Sequence, residues 1–201
     1  MRKFSDICES VWMDIHKQSN GDSFKKEDQG VIDLMNEFIQ RHNLKEGEYK
    51  INGNLTLDVY HDIQLEENDM LEKKIPFKFG KIDGDFRISN IPIDSLENSP
   101  NEVTGTYMIT FTNIKTLEGS PRIVGKNFNV DFNRSLVSLD GSPDKVGGDY
   151  KFISSWNVND IKGISPEIGG HVIYSKENGI PKFSDEDFRK YSNIKGMIIR
   201  R

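Results

Sequence analysis

Residues 117–150 read LEGSPRIVGKNFNVDFNRSLVSLDGSPDKVGGDY. Its first part, LEGSPRIVG followed by Lys126, invites reading as a phosphate-binding loop. A Walker loop needs four residues between its first glycine and the Gly-Lys pair, then Ser or Thr. Here five residues separate Gly119 from Gly125, and Asn127 stands where the hydroxyl belongs. The same stretch also contains its own echo. Gly119-Ser120-Pro121 returns as Gly141-Ser142-Pro143, and Val124-Gly125-Lys126-Asn127-Phe128 as Val146-Gly147-Gly148-Asp149-Tyr150.

Working outward, Asn98-Ser99-Pro100 precedes these copies and Ile164-Ser165-Pro166 follows them, with prolines 21, 22 and 23 residues apart. Leu96, Leu117 and Leu139 each lie four residues before their proline, and Ile161 lies five before. The second landmark also occurs as Ile82-Asp83-Gly84-Asp85-Phe86, Val103-Thr104-Gly105-Thr106-Tyr107 and Ile168-Gly169-Gly170-His171-Val172. Ile51-Asn52-Gly53-Asn54-Leu55 reads as the earliest copy. A second apolar residue follows two positions later, at Leu57, Ile88, Ile109, Val130, Phe152 and Tyr174. Alternation of period two marks a short strand with one buried face.

Each repeat therefore predicts a turn, one short strand and a return arm carrying Leu and Ser-Pro. Units of about 20 to 29 residues that cannot bury an apolar strip alone do so by stacking, with parallel strand pairing. Six strands are expected between residues 51 and 175. The first interval is 31 residues long, and the excess, HDIQLEENDMLEKK (about residues 61–74), reads as a charged inserted loop or short helix.

The flanks have a different period. Phe4, Ile7, Val11, Trp12 and Ile15 recur at helical spacing, as do Val31, Leu34, Met35, Phe38 and Ile39. Two antiparallel helices would cover the first coil, since an open solenoid end exposes apolar surface and strand edges. Ser184-Asp185-Glu186-Asp187 reads as a capping box opening a short helix through Phe188 and Tyr191, with Met197-Ile198-Ile199 as a last strand. The expected fold class is α+β: a short leucine-rich-like parallel β-solenoid with an N-terminal helical cap and a short C-terminal helix. The divisions are 1–46 (helical cap), 47–180 (solenoid) and 181–201 (C-terminal cap).

The repeat resembles one widespread in small proteins of tailed bacteriophages, in which Leu-x-Gly-Ser-Pro is followed by Val-Gly-Gly-Asp-Phe and a short strand. Such repeats are often labelled leucine-rich-like, and the period is similar to that of secreted bacterial leucine-rich effectors. The resemblance covers roughly residues 50–175, and FSDICESVWMDIHKQSNGDSFKKED (residues 4–28) looks like the N-terminal segments of such phage proteins. This chain departs from the pattern at Thr104, at Lys126 and in the return DIKGISP. The resemblance implies a phage-encoded protein-binding module acting on a host or defence protein in the infected cell by surface occlusion. The alternative reading is a virion or tail accessory, or an assembly protein.

Composition limits the other classes. The net charge of the 201-residue chain is −5, which disfavours nucleic acid and anionic membranes as partners. No apolar run approaches the roughly 18 residues of a membrane span. Asp6 and Glu9 fall where a signal peptide needs apolar residues, so a cytoplasmic location is expected. Cys8 is the single cysteine, which excludes an internal disulfide and a cysteine-based zinc site. His16, His42, His61 and His171 are scattered, and the acids Glu66, Glu67 and Asp69 read as a solvated run. No catalytic, cofactor or metal site is expected, and no small-molecule ligand; the chain reads as a non-enzyme with a host or phage protein as its partner.

The outward strand positions carry the candidate site. They are Thr56 and Asp58, Arg87 and Ser89, Met108 and Thr110, Asn129 and Asp131, Lys151 and Ile153. Of these, Arg87, Met108, Asn129, Lys151 and Ile153 are read as partner-binding, with Met108 and Ile153 as exposed apolar contacts. Trp156, just past a strand, is either a binding hot spot or core beneath a loop. Trp12 either packs on the second helix or docks on the partner. Phe111 and Phe132, in equivalent places of adjacent coils, are expected to stack inside the core.

Overall fold

Every repeat makes two short strands rather than one. The structure, a computed structural model, describes residues 28–176 and 182–201. A helix α1 (Gln29–Arg41) precedes the strands. Sheet one contains β1 (Tyr49–Ile51), β2 (Leu57–Val59), β4 (Phe79–Ile82), β6 (Glu102–Val103), β8 (Ile123–Val124), β10 (Lys145–Val146), β12 (Glu167–Ile168) and β14 (Asn193–Ile194). Sheet two contains β3 (Ile63–Leu65), β5 (Phe86–Ser89), β7 (Tyr107–Thr110), β9 (Phe128–Asn129), β11 (Tyr150–Phe152), β13 (Val172–Tyr174) and β15 (Ile198–Arg200). A second helix, α2 (Asp185–Tyr191), lies in the return between β13 and β14.

The chain alternates between the sheets, so each coil adds one strand to each. Every strand pairing is parallel except β1 with β2. The molecule is a parallel β-solenoid of about six turns, the intervals of the 7-stranded sheet two. The aliphatic residue of the second landmark ends a strand of sheet one, and the apolar pair that follows lies in sheet two. Between them the chain turns a corner within a few residues.

The first copy sits elsewhere than expected. Ile51 and Leu57 face each other across an antiparallel hairpin, whose turn runs through Leu55 at φ 58°. The first coil proper is Val59-Tyr60-His61-Asp62-Ile63, with Ile63 pairing Phe86. Asp62 and Asp85 are equivalent and 23 residues apart, so the first interval is of ordinary length. Residues 61–74 are no insertion: they supply β3 and a 3-10 turn, Glu67–Asp69. Asn52-Gly53-Asn54-Leu55 imitates the corner sequence but closes a hairpin.

The core is a set of columns along the solenoid axis. Leu96, Leu117, Leu139 and Ile161 are all buried on the return arms, as their spacing predicts. Phe86 stacks on Tyr107 at 5.6 Å and Tyr107 on Phe128 at 5.5 Å, with Tyr150 next at 5.0 Å. At one end α1 turns Ile32, Met35, Phe38 and Ile39 inward, and the Phe38 ring meets Phe77 and Phe79 at 5.5 and 5.4 Å. The expected first helix, with Trp12, lies outside the described residues. At the other end Ser184 caps α2: its Oγ accepts from Asp187 N, and its own N–H donates to the Asp187 carboxylate. Phe188 then packs on Tyr174 at 5.2 Å, in place of a return-arm leucine.

One residue read from sequence as solvated is not. Asp69 is buried, accepting from Arg41 at 2.6 Å and from Glu66 N at 2.8 Å, with His42 Nε2 at 3.0 Å. These partners lie more than twenty residues away along the chain for Arg41 and His42, so local patterning could not pair them. Burial pushes the Asp69 carboxyl up, but the hydrogen bonds from His42, Glu66 N and Arg41 outweigh it and hold it below the usual range.

Candidate partner-binding face

The corner between the sheets explains the glycines and Lys126. Asp62 Oδ1 accepts from Asp85 N, and Asp85 Oδ1 from Thr106 N, at 2.8 and 2.7 Å. Asn127 Oδ1 accepts from Asp149 N, Asp149 Oδ1 from His171 N, and His171 Nδ1 from Met197 N, each at 2.9 Å. Each side chain rises beneath the next coil, where a β-carbon would collide with it. A Cβ on Gly105 would lie 2.2 Å from Asp85 Oδ1, one on Gly148 2.5 Å from Asn127 Oδ1, and one on Gly170 2.4 Å from Asp149 Oδ1. Thr106 is the one member of this ladder without a carboxylate, amide or ring nitrogen to offer upward. The coil above it carries Lys126, the one non-glycine among the positions stacked on a lower coil, the others being Gly84, Gly105, Gly148, Gly170 and Gly196.

The resemblance of LEGSPRIVG to a phosphate loop dissolves in the same geometry. Gly119 takes a left-handed φ of 91° on a return arm, and Ile123–Val124 is a strand, β8. The amides that would cradle a phosphate are engaged by the neighbouring coil: Gly125 N donates to Val103 O and Lys126 N to Gly105 O.

The outer face of sheet two carries most of the sequence-derived candidates. Strand register aligns Arg87, Met108, Asn129 and Lys151 as one row across four coils. Both cations of the row are engaged. Arg87 pairs with Asp85 and lies 3.9 Å from Asp62, and Lys151 Nζ lies 3.6 Å from Asp149. Met108 and Ile153, expected to be exposed, are half-buried. Asn129 is 8% exposed and its Oδ1 has no hydrogen-bond partner among the described residues.

The adjoining row is Ser89, Thr110, Asp131 and Ile153. Ser89 Oγ and Thr110 Oγ1 are 2.9 Å apart, and Asp131 Oδ1 accepts from Ile153 N. Burial pushes the Asp131 carboxyl up, more than the Ile153 N–H and the charges of Lys151 and Arg201 pull it down.

Beyond this row the chain turns inward through a left-handed residue in four successive coils: Asn90, Phe111, Phe132 and Ser154, with φ of 59°, 56°, 60° and 56°. The turn is secured from inside. Asn133 Oδ1 accepts from Thr112 N and Oγ1, and Asn133 Nδ2 donates to Ile109 O. Asn133 N donates to Ser155 Oγ, which donates to Val130 O.

That turn overturns one expectation. Phe111 and Phe132 do stack, at 4.7 Å and 3° between planes, but on the surface. They are 52% and 43% exposed. Period-two counting placed them inside; the left-handed residue breaks the alternation and swings both rings outward. Trp156, also past the turn, is 45% exposed, with the Arg134 guanidinium 5.4 Å from its ring centre. Sequence reading placed the row from Arg87 to Lys151 and Asp131 outward, left Asp131 out of the partner-binding set, and put the exposed phenylalanines inside. The turn itself, an Asn and a Ser in register with two Phe, was the signal available.

No three potential metal-ligating side chains cluster among the described residues, and no described helix is long and apolar enough to cross a membrane. No protein-family model matches the chain, and no curated protein and no solved structure matches it.

Proposed function

We propose that the protein is a protein-binding module whose binding face is the outer side of sheet two together with the aromatic corner beside it. The observation that carries this reading is the exposed Phe111–Phe132 stack. A left-handed position favours Asn or Gly, as Asn90 illustrates, and is unfavourable by roughly 1–2 kcal/mol for other residues. An aromatic pair returns about 0.5–1.5 kcal/mol beyond its burial. Folding alone gives no reason for two half-exposed phenylalanines there, whereas aromatic rings are common anchors of protein interfaces. Trp156 and Arg134 extend the same surface.

The resemblance to phage repeat proteins supports the rest of the proposal: a phage-encoded module with a leucine-rich-like solenoid and a two-helix cap of which α1 is half. It would occlude a host or defence protein in the cytoplasm of the infected cell. The role assigned is binding, with no catalytic step.

The test is quantitative capture from infected-cell lysate with tagged wild type and a Phe111→Asn/Phe132→Asn variant. A protein held by the wild type and lost by the folded variant supports the reading. Equal capture by both, or identical background lists, contradicts it.

A further inference from the structure

Sheet two ends in a strand, β15, with no neighbouring strand beyond it among the described residues. Toward β13 the engaged groups alternate along the chain. Met197 O accepts from Val172 N, Arg201 N donates to Tyr174 O, and Arg201 O accepts from Lys176 N. Backbone polar groups of successive strand residues point to opposite edges, so Ile198 and Arg200 turn both N–H and C=O away from β13. An open row of donors and acceptors is a template for a further strand.

The other edges are managed differently. At the same end of sheet one, the Arg189 guanidinium donates to Ile194 O at 3.0 Å and to Gly196 O at 3.1 Å and covers that edge. At the opposite end of the solenoid, β1 adds an antiparallel strand beside β2, and α1 packs Phe38 on Phe77 and Phe79. A second copy stacked head to tail on β15 would present that helix and hairpin rather than a matching coil.

Charge separates the remaining occupants. Residues 182–201 carry six Lys and Arg against three Asp and Glu, in a chain whose net charge is −5. Arg200 pairs with Asp185, whereas Lys195 and Arg201, which flank β15, are exposed and in no ion pair among the described residues. Two copies joined edge to edge would bring like charges together, while a segment rich in carboxylates meets opposite charge. Exposed Met197 and half-buried Ile199 offer apolar contact to alternate side chains of such a segment.

We propose that β15 takes up an extended, acidic segment of another protein as an eighth strand of sheet two. The segment's backbone bonds Ile198 and Arg200, and its carboxylates meet Lys195 and Arg201. Main-chain bonds supply the affinity and the flanking charges the selectivity. The contact uses none of the residues of the aromatic corner.

Titration of the isotope-labelled 201-residue chain with an acetylated heptapeptide of alternating Val and Glu tests this. The comparison peptides are one of alternating Val and Lys, and the Val/Glu peptide with every amide N-methylated. The expected result is a saturable shift of the Ile198 and Arg200 amides, with slowed hydrogen exchange at both. Binding should be weaker by about tenfold or more for the Val/Lys peptide and lost for the N-methylated one. Lys195→Glu/Arg201→Glu should reverse the preference between the charged peptides, and Phe111→Asn/Phe132→Asn should bind as wild type does. No saturable shift at Ile198 and Arg200, equal binding of the two charged peptides, or loss of binding in the phenylalanine variant overturns the proposal. Protection of both amides without peptide, growing with protein concentration, also overturns it and assigns the edge to a second copy.

Discussion

Ser142 Oγ lies 2.8 Å from the hydroxyl of Tyr150, eight residues on and buried in the core. Ser99 and Tyr107 repeat the pairing at 3.0 Å. The Ser of the Ser-Pro motif thus satisfies a tyrosine hydroxyl carried inward by the next strand of sheet two. Burial pushes both tyrosine hydroxyls far up, so each stays neutral and bonded. Where the next strand brings Phe128 instead, Ser120 Oγ has no partner among the described residues. Ser142→Ala should therefore cost about 1–3 kcal/mol by stranding a buried hydroxyl, and Ser120→Ala should cost little. Phe128→Tyr should restore the pairing and gain about 1 kcal/mol. Urea unfolding of the three variants checks the order; a larger loss for Ser120→Ala than for Ser142→Ala would refute the assignment.

The Thr106–Lys126 exception makes a sharper prediction. In other coils a ladder Asp or Asn requires glycine above it, as the 2.2 Å and 2.5 Å approaches at Gly105 and Gly148 show. Thr106→Asn alone should destabilise, because its amide would meet the Lys126 β-carbon. In a Lys126→Gly background the same change should be tolerated. The coupling energy should reach about 1 kcal/mol or more, as expected of residues in direct contact. Additive effects in the double-mutant cycle would show that Lys126 stands there for another reason.

Buried and exposed phenylalanines should respond differently to substitution. Phe128→Ala empties a fully buried site and should cost about 3–5 kcal/mol. Phe111→Asn/Phe132→Asn places a residue suited to the left-handed turn, so stability should stay within about 1 kcal/mol of wild type. Thermal unfolding distinguishes the two, and a loss of core size at the corner would return Phe111 and Phe132 to the interior.

Two carboxylates set opposing pH dependences. The Asp69 carboxyl is held low when folded, so its contribution is present above the unfolded range near ~3.9 and is lost as pH falls through the lower folded value. The Asp131 carboxyl is raised when folded, so it favours the fold in acid and that benefit is lost as pH rises through the raised value. Asp69→Asn should therefore reduce the acid sensitivity of unfolding. Asp131→Asn should stabilise at neutral pH relative to acid. Stability measured from pH 2 to 7 for each variant reads the two signs independently.

How much was legible follows from which interactions are local. The period, the buried leucine column and the Ser184 cap are encoded within one coil, and their spacing located them. The hairpin at Tyr49–Val59 was mistaken for a coil because Asn and Gly close either kind of turn. The Asx ladder was unreadable as such, since its Asp and Gly residues serve different coils some 22 residues apart yet look alike as turn formers. The outward row from Arg87 to Lys151 followed from period two; the Phe pair did not, because one left-handed residue cancels that period. The Asp69 site depends on α1 docking against the first coil, which no spacing records.

The most direct measurement is the amount of partner captured per folded molecule by wild type, by Phe111→Asn/Phe132→Asn and by Lys126→Gly, whose change lies at the corner between the sheets. Wild type and Lys126→Gly should capture fully, and the phenylalanine variant should lose at least tenfold. Undiminished capture by the phenylalanine variant would contradict it.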